Sequence, residues 1–242
     1  MILAIIYYFK IKKEMKHVKL LILFLVVFII SCNKRQENKI DNLKEFEVVL
    51  NLKNYDIKKI KINDSIIIIE GKNNTYNTSG KYNIFRKQKI GWWRFNKNGD
   101  KVLDIEYVSY DGNEMRNQVI FYKKGEIDTT SSKFYTLNVV RNMKGNLVSH
   151  SFDIYTPQIE TKMTKTLFDY IYYRNNEVLK ENAIENRIRK GNKYIYKINL
   201  DDIKSDKFFF EGIFSEITID KQITEVGRNA IYIQDTLTLN QN

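Results

Sequence analysis

The chain reads as a mainly β protein: a hairpin-repeat antiparallel sheet, then a small β-sandwich or barrel-like module, with at most one short helix. Three observations predict this. Beyond residue 43 nearly every apolar stretch is short and rich in β-branched or aromatic residues, and aromatics make up 13% of the chain. Pairs closed by glycine, Asn98-Gly99, Lys124-Gly125 and Lys144-Gly145, punctuate the middle of the sequence. The last ninety or so residues hold further aromatic strands bounded by Asn, Asp or Gly, the spacing of a sandwich or barrel. Hydrophobic content of 43% and charged content of 29% exclude wholesale disorder, and ten Gly with a single Pro exclude collagen-like or Pro-rich chains.

Taken in order, Phe46–Leu52 (FEVVLNL) and Ile57–Ile69 are β-branched strands, the second alternating Ile and Lys at its start. Ile66–Ile69 is too short an apolar run for a helix and reads as a strand buried on both faces. Gly71–Gly80 (GKNNTYNTSG) reads as a loop by composition. Between residues 80 and 152 a unit recurs: a strand, a turn closed by Gly, and a second short strand. Its copies are Ile90–Phe95 to Val102–Tyr107 across Asn98-Gly99, Gln118–Tyr122 to Glu126-Ile127 across Lys124-Gly125, and Asn138–Arg141 to Asn146–Val148 across Lys144-Gly145. Tight hairpin turns need positive φ, which Asn tolerates and Gly adopts without penalty. Asp111-Gly112 marks a further turn.

Pro157 marks the expected boundary of a second module. Thr166–Arg174, Lys193–Leu200, Lys207–Ile219 and Ala230–Leu239 are its strands. Asn176–Lys190 is the one helix expected: Asn176 would cap it, Val178, Leu179, Ala183, Ile184 and Ile188 fall on one stripe, and Gly191 would end it.

The N-terminal residues address the chain rather than fold it. Met15–Cys32 reads MKHVKLLILFLVVFIISC, with Lys16 and Lys19 ahead of the uninterrupted apolar run Leu20–Ile30. That run has the length of a signal-peptide core and falls short of the ~20 residues a spanning helix needs. Ile29-Ile30-Ser31-Cys32 resembles the lipobox of bacterial lipoproteins, and Cys32 is the only cysteine in the chain. The resemblance implies diacylglycerol transfer to the Cys32 thiol, cleavage before it and acylation of the new amino terminus. Met1–Glu14, a second apolar-then-basic stretch, precedes this complete signal, which points to Met15 as the start and residues 1–14 as an extension. The expected organisation is a signal peptide over 1–31, an acylated Cys and flexible tether over 32–42, a hairpin-repeat domain over 43–156 and a second β-rich module over 157–242. Asn33 in place of Asp after the cysteine, by resemblance to lipoprotein sorting, disfavours inner-membrane retention. The expected location is therefore the cell envelope, anchored in the outer membrane and facing the periplasm.

The stretch from Gly91-x-Trp93 through Asn98-Gly99 to Tyr110-Asp111-Gly112 resembles the MORN-variant repeat of YwqK-type antitoxin and lipoprotein sequences, with a weaker second unit ending at Lys124-Gly125. It covers about 60 residues, and the third unit lacks the Gly-x-Trp opening. The resemblance implies an elongated hairpin sheet and a binding role.

Catalytic patterns are missing from the sequence. No Gly-x-Ser-x-Gly, His-Glu-x-x-His, phosphate-binding glycine loop or cysteine pair is present. With one Cys and two His, no metal and no cofactor are expected. His150 has Ser149, Ser151 and Asp153 beside it, but strand neighbours alternate faces, so a surface or hairpin histidine is expected rather than a triad. Asp104 with Glu106, on one strand face, and Asp201-Asp202, in a turn, are the carboxylate pairs that could serve a glycan or peptide hydrolase. The formal charge is +11; removal of residues 1–31 with its five lysines and one glutamate leaves +7, spread among Asp, Glu and Asn. That interleaving excludes a nucleic-acid stripe and is compatible with a membrane surface. Trp92, Trp93, Tyr107 and Tyr110 gather around one hairpin, and on alternating strands only one of the two tryptophans can face a core. They are the candidate binding residues. The expected function is a non-catalytic, membrane-anchored lipoprotein that binds an envelope protein or glycan, with the hydrolase and a YwqK-like antitoxin or immunity protein as alternatives.

Overall fold

A computed structural model describes residues 45–141, 147–157, 163–185, 189–200, 207–219 and 226–238. Cys32 with its lipobox, the tether, the Lys144-Gly145 turn and Asp201-Asp202 lie outside the described residues. The chain divides into two units, one ending at Tyr55 and one beginning at Asp56. In the first, residues 45–50 are helical and a 3-10 turn follows, Leu52–Asn54. The strand expected over Phe46–Leu52 is thus a helix. Its less exposed residues, Phe46, Val49 and Leu50, lie three and four apart, while Val48 between them faces out. The Asn51 side chain accepts from the Lys53 amide at 3.1 Å, and the Tyr55 hydroxyl donates to the Val49 carbonyl at 2.9 Å.

The second unit begins with a meander. Strands β1 (Asp56–Lys61), β2 (Ile66–Lys72), β3 (Tyr76–Asn83), β4 (Gln88–Lys97), β5 (Asp100–Tyr110), β6 (Asn113–Lys123) and β7 (Glu126–Ile127) pair antiparallel, each with the next, in one seven-stranded sheet. The turns expected at Asn98-Gly99, Asp111-Gly112 and Lys124-Gly125 all form, with both residues of each at positive φ, 50° and 94° in the first. Gly71–Gly80 is not a loop. Only residues 73–75 turn, closed by the Asn73 side chain accepting from the Thr75 and Tyr76 amides at 2.9 and 2.7 Å, and Tyr76 and Thr78 then alternate into the core as β3. Ile66–Ile69 is buried on one face rather than two: Ile67 and Ile69 point in, while Ile66 and Ile68 are half-buried.

The rest is a sandwich. Strands β8 (Phe134–Arg141), β9 (Leu147–Tyr155) and β12 (Lys193–Asn199) form a sheet in the order β12-β9-β8. Strands β10 (Met163–Arg174), β11 (Glu177–Glu185), β13 (Lys207–Ile219) and β14 (Val226–Thr238) form the other, in the order β11-β10-β13-β14. The sheets meet through aromatic rings: Phe152 lies 5.4 Å from Phe168 and 4.9 Å from Phe210, and Phe168 lies 4.8 Å from Tyr196. Pro157 stands between β9 and β10, whose side chains share this core, and the third hairpin of the repeat, β8–β9, belongs to the sandwich. The expected helix over Asn176–Lys190 is strand β11 over its described part. Asn175 (φ 49°) and Asn176 (φ 67°) form a two-residue hairpin turn from β10, so the residue expected to cap a helix instead reverses a strand.

Polar contacts join meander and sandwich, the Tyr135 amide of β8 donating to the Gln118 side chain of β6 at 3.1 Å among them. Asn117 of β6, almost fully buried, donates to the Tyr232 carbonyl at 2.8 Å and accepts from the Tyr232 amide at 2.7 Å, taking the place of a backbone partner for β14. The Lys133 ammonium donates to the Arg116 and Ala230 carbonyls at 3.0 and 3.1 Å. Its burial, with Arg116 nearby, pulls its pKa down to about 8.

Candidate binding site

A bulge in β4 sorts the two tryptophans. Pairing with β3 passes from Ser79–Arg94 to Lys81–Ile90, so Gly91, Trp92 and Trp93 stand opposite Gly80 alone. Trp93 turns inward, fully buried, and its ring lies flat over Gly80, where any Cβ would overlap the indole. Its Nε1 donates to the Lys81 carbonyl at 3.0 Å, and Tyr107 meets it edge-on at 6.3 Å. Lys89 caps this pair, its ammonium 5.0 Å from the Tyr107 ring centre. Trp92 turns the other way and remains 47% exposed.

On the outer face Trp92 lines a shallow groove of about 510 Å³. Five strands supply its walls: Ile68 from β2, Ser79 and Lys81 from β3, Arg94 from β4, Asp104 from β5, with Ile120 from β6 closing the far side. Asp104 organises the charges. It meets the Lys101 ammonium at 2.6 Å and the Arg94 Nε at 3.6 Å, and accepts from the Tyr122 hydroxyl at 3.2 Å. Lys101 loses some solvent, which alone would lower its pKa, but hydrogen bonds to Asp104 and Tyr122 outweigh this and raise it. Arg94 keeps most of its surface in water beside the indole. The arrangement offers one flat apolar face, a cation and several hydrogen-bonding groups on an open sheet.

The four candidate aromatics do not form one site. Trp93 and Tyr107 belong to the core, and Tyr110 is exposed beside Tyr232, at 6.4 Å, rather than beside Trp92. Glu106 shares the outer face with Asp104 but accepts from Asn117 and Gln118 at 2.7 and 2.8 Å, so both carboxylates are occupied in joining strands. His150 lies on the β8–β9 hairpin but not on the surface. It is fully buried, hydrogen-bonded at 3.0 Å to the Tyr172 hydroxyl and ringed by Phe152 and Phe210. Burial, reinforced by Arg141, lowers its pKa to about 4, so it is neutral at pH 7. Ser149 is buried on the adjoining strand position, and Asp153 is paired with Lys193 at 3.0 Å, so the three do not converge.

A second polar cluster, which no sequence pattern signals, lies in the sandwich. Glu216, 1% exposed, accepts from Tyr194 at 2.7 Å, Asn229 at 2.9 Å, Thr156 at 3.2 Å and Arg189 at 3.4 Å. Arg189 also donates to the Thr156 and Pro157 carbonyls, both at 3.0 Å. A buried charge satisfied on every side in this way fastens strands and leaves no lone pair open to a ligand. Among the described residues no group of three His, Cys, Asp or Glu is placed to hold a metal ion, and no helix is long and apolar enough to cross a membrane.

No protein family, curated protein or solved structure matches this chain.

Proposed function

We propose that this chain is a lipid-anchored, extracytoplasmic binding protein without catalytic activity that holds an envelope glycan on the outer face of its meander. Trp92 carries the reading. An indole left exposed on a sheet, beside Arg94, Ser79 and Asp104, suits a sugar ring, which has an apolar C–H face for stacking and hydroxyls at its rim. The lipobox at Ile29–Cys32 and the apolar run before it support anchorage through Cys32, at the outer membrane and facing the periplasm. The engagement of Asp104 with Arg94 and Tyr122, and of Glu106 with Asn117 and Gln118, on neighbouring strands favours binding over hydrolysis by paired carboxylates.

Anchorage is tested by intact mass and membrane partition of the expressed chain beside Cys32→Ala. A lipid-sized increment, loss of residues 1–31 and membrane release of the variant are expected; an unmodified cytoplasmic wild-type chain would sink this part. Binding is tested by calorimetric titration with soluble peptidoglycan fragments and lipopolysaccharide core oligosaccharides, a readout that does not depend on the tryptophan removed in the variant. Saturable binding is expected, about tenfold weaker in Trp92→Ala, the loss of one stacked ring. Equal binding by variant and wild type would remove the groove from the reading, and no binding of either glycan would remove the glycan.

A further inference from the structure

The two ends of the meander differ in chemistry. At one end lie the turns at residues 73–75, 98–99 and 124–125, which carry Asn73, Asn74, Thr75, Asn98, Gly99, Lys124 and Gly125. None of these is apolar. At the other end lie the turns at residues 62–65, 84–87 and 111–112, and here Ile62, Ile84, Phe85 and the flanking Tyr110 are all exposed. Phe85, at the tip of the middle turn, is 71% exposed, the most exposed large hydrophobic side chain among the described residues. Successive turns on one end of a meander stand about 10 Å apart, two strand spacings. The three therefore form a row. They are also tied together: the Ile84 amide donates to the Ser65 carbonyl at 2.9 Å, Gln88 Nε2 to the Gly112 carbonyl at 2.6 Å and Arg86 Nη1 to Ser109 at 3.3 Å. An apolar tip that merely frayed would not be held on both sides.

We infer that this end rests in the interfacial layer of the bilayer that carries the acylated Cys32, with Phe85 and Ile84 entering among the headgroups and Arg86 and Lys87 against lipid phosphates. The inference rests on the lipid anchorage proposed above. Two arguments select a lipid surface over a protein. Residues 33–44, even fully extended at roughly 3.3–3.6 Å each, reach no more than ~43 Å, so an anchored chain cannot leave the membrane's vicinity. The tip also has the composition of an interfacial contact, an aromatic and an aliphatic side chain followed by two cations. A tether of this kind supplies a local concentration of roughly millimolar order, so a contact too weak to bind membranes alone is enough to set orientation.

The test uses the full chain, purified from bacterial membranes and reconstituted in vesicles of phosphatidylethanolamine with phosphatidylglycerol. Acylation consumes the single native thiol, so Phe85→Cys and Asn74→Cys each offer one site for an environment-sensitive fluorophore, at opposite ends of the sheet. Both positions are exposed, and Ile62→Cys provides a second site in the apolar row. Expected is blue-shifted emission at positions 85 and 62 with several-fold greater quenching by nitroxide lipids than at 74. Aqueous emission and equal quenching at all three positions would overturn the inference. So would protection of position 85 that persists in lipid-free detergent with a doubled particle mass, since the occupant would then be a second copy. Labelling of the wild-type chain reports separately on the anchor: a reactive Cys32 means that anchorage, and the orientation built on it, both fail.

Discussion

The meander β1–β7 and the sandwich β8–β14 use the same kinds of strand residue but bury them differently. In the meander each strand pairs with its sequence neighbours, turns of two to four residues set the register, and one face is left open to water. In the sandwich the chain passes between sheets three times, and partners such as β10 and β13 are joined by long connections. Its register is set by rings that must interlock. Gly80 and Gly212 mark a shared device. Each lets an aromatic ring approach the backbone, Trp93 over the first, and over the second Phe210 and Phe168, 2.9 and 3.0 Å from where a Cβ would stand. The difference lies in what remains outside. A closed sandwich uses the inner faces of both sheets for stability, whereas a single sheet keeps a face on which a residue such as Trp92 can wait for a ligand.

The sharpest way to break this comparison is in the sandwich core. Phe168→Ala is expected to cost about 3–5 kcal/mol in urea unfolding. Amide exchange should quicken in β9, β10, β12 and β13 more than in β2–β5. Equal acceleration throughout would mean that the polar joint at Asn117 makes both regions one cooperative unit.

Acid should separate the regions next, because the buried histidine lies in the sandwich alone. Its folded pKa of about 4 is below the ordinary 6.5, so the unfolded chain binds the proton more readily. The stability it protects is complete above pH 6.5 and falls as pH drops toward 4, by about 3 kcal/mol for this group. Wild type and His150→Gln compared by urea unfolding across that range should converge as pH falls; a constant gap would contradict a neutral buried imidazole.

The smallest expected effect belongs to the meander. Gly99→Ala, at φ 94°, should cost about 1–2 kcal/mol through backbone strain, since nothing stands within 4 Å of the added methyl. Thermal unfolding would read it. A neutral result would mean that sheet pairing, not the turn, sets this register.

What could be read from the sequence follows the same division. Asn98-Gly99, Asp111-Gly112 and Lys124-Gly125 were legible because a tight turn is chosen by the residues within it. Strand β3 was not, because its Asn- and Thr-rich stretch is strand only in the company of Trp93 and β2. Strand β11 was misread because Val178, Leu179 and Ile184 satisfy a helical stripe, while the deciding residues, Asn175 and Asn176, suit either a cap or a turn. The contrast between Trp92 and Trp93 was legible from strand alternation, but Ile68, Ser79, Lys81 and Ile120 reach the groove from other strands, and register alone brings them there. The burial of His150 was not legible, because besides Phe152 on its own strand the rings that enclose it, Tyr172 and Phe210, come from β10 and β13.

The amide of Asn117 has one more consequence. β14 is the outermost strand of its sheet, and an outermost strand presents unpaired backbone groups to which any extended peptide can add. Asn117 of the meander occupies both backbone groups of Tyr232, and Lys133, just before β8, takes the carbonyl of Ala230, which together blunt that edge in the middle of its length. The outermost strand at the far end of the meander, β1, is studded instead with Lys58, Lys59 and Lys61. Of the sheet edges, β14 is capped by a side chain and β1 guarded by charge, so an extended peptide finds neither open for pairing along its whole length.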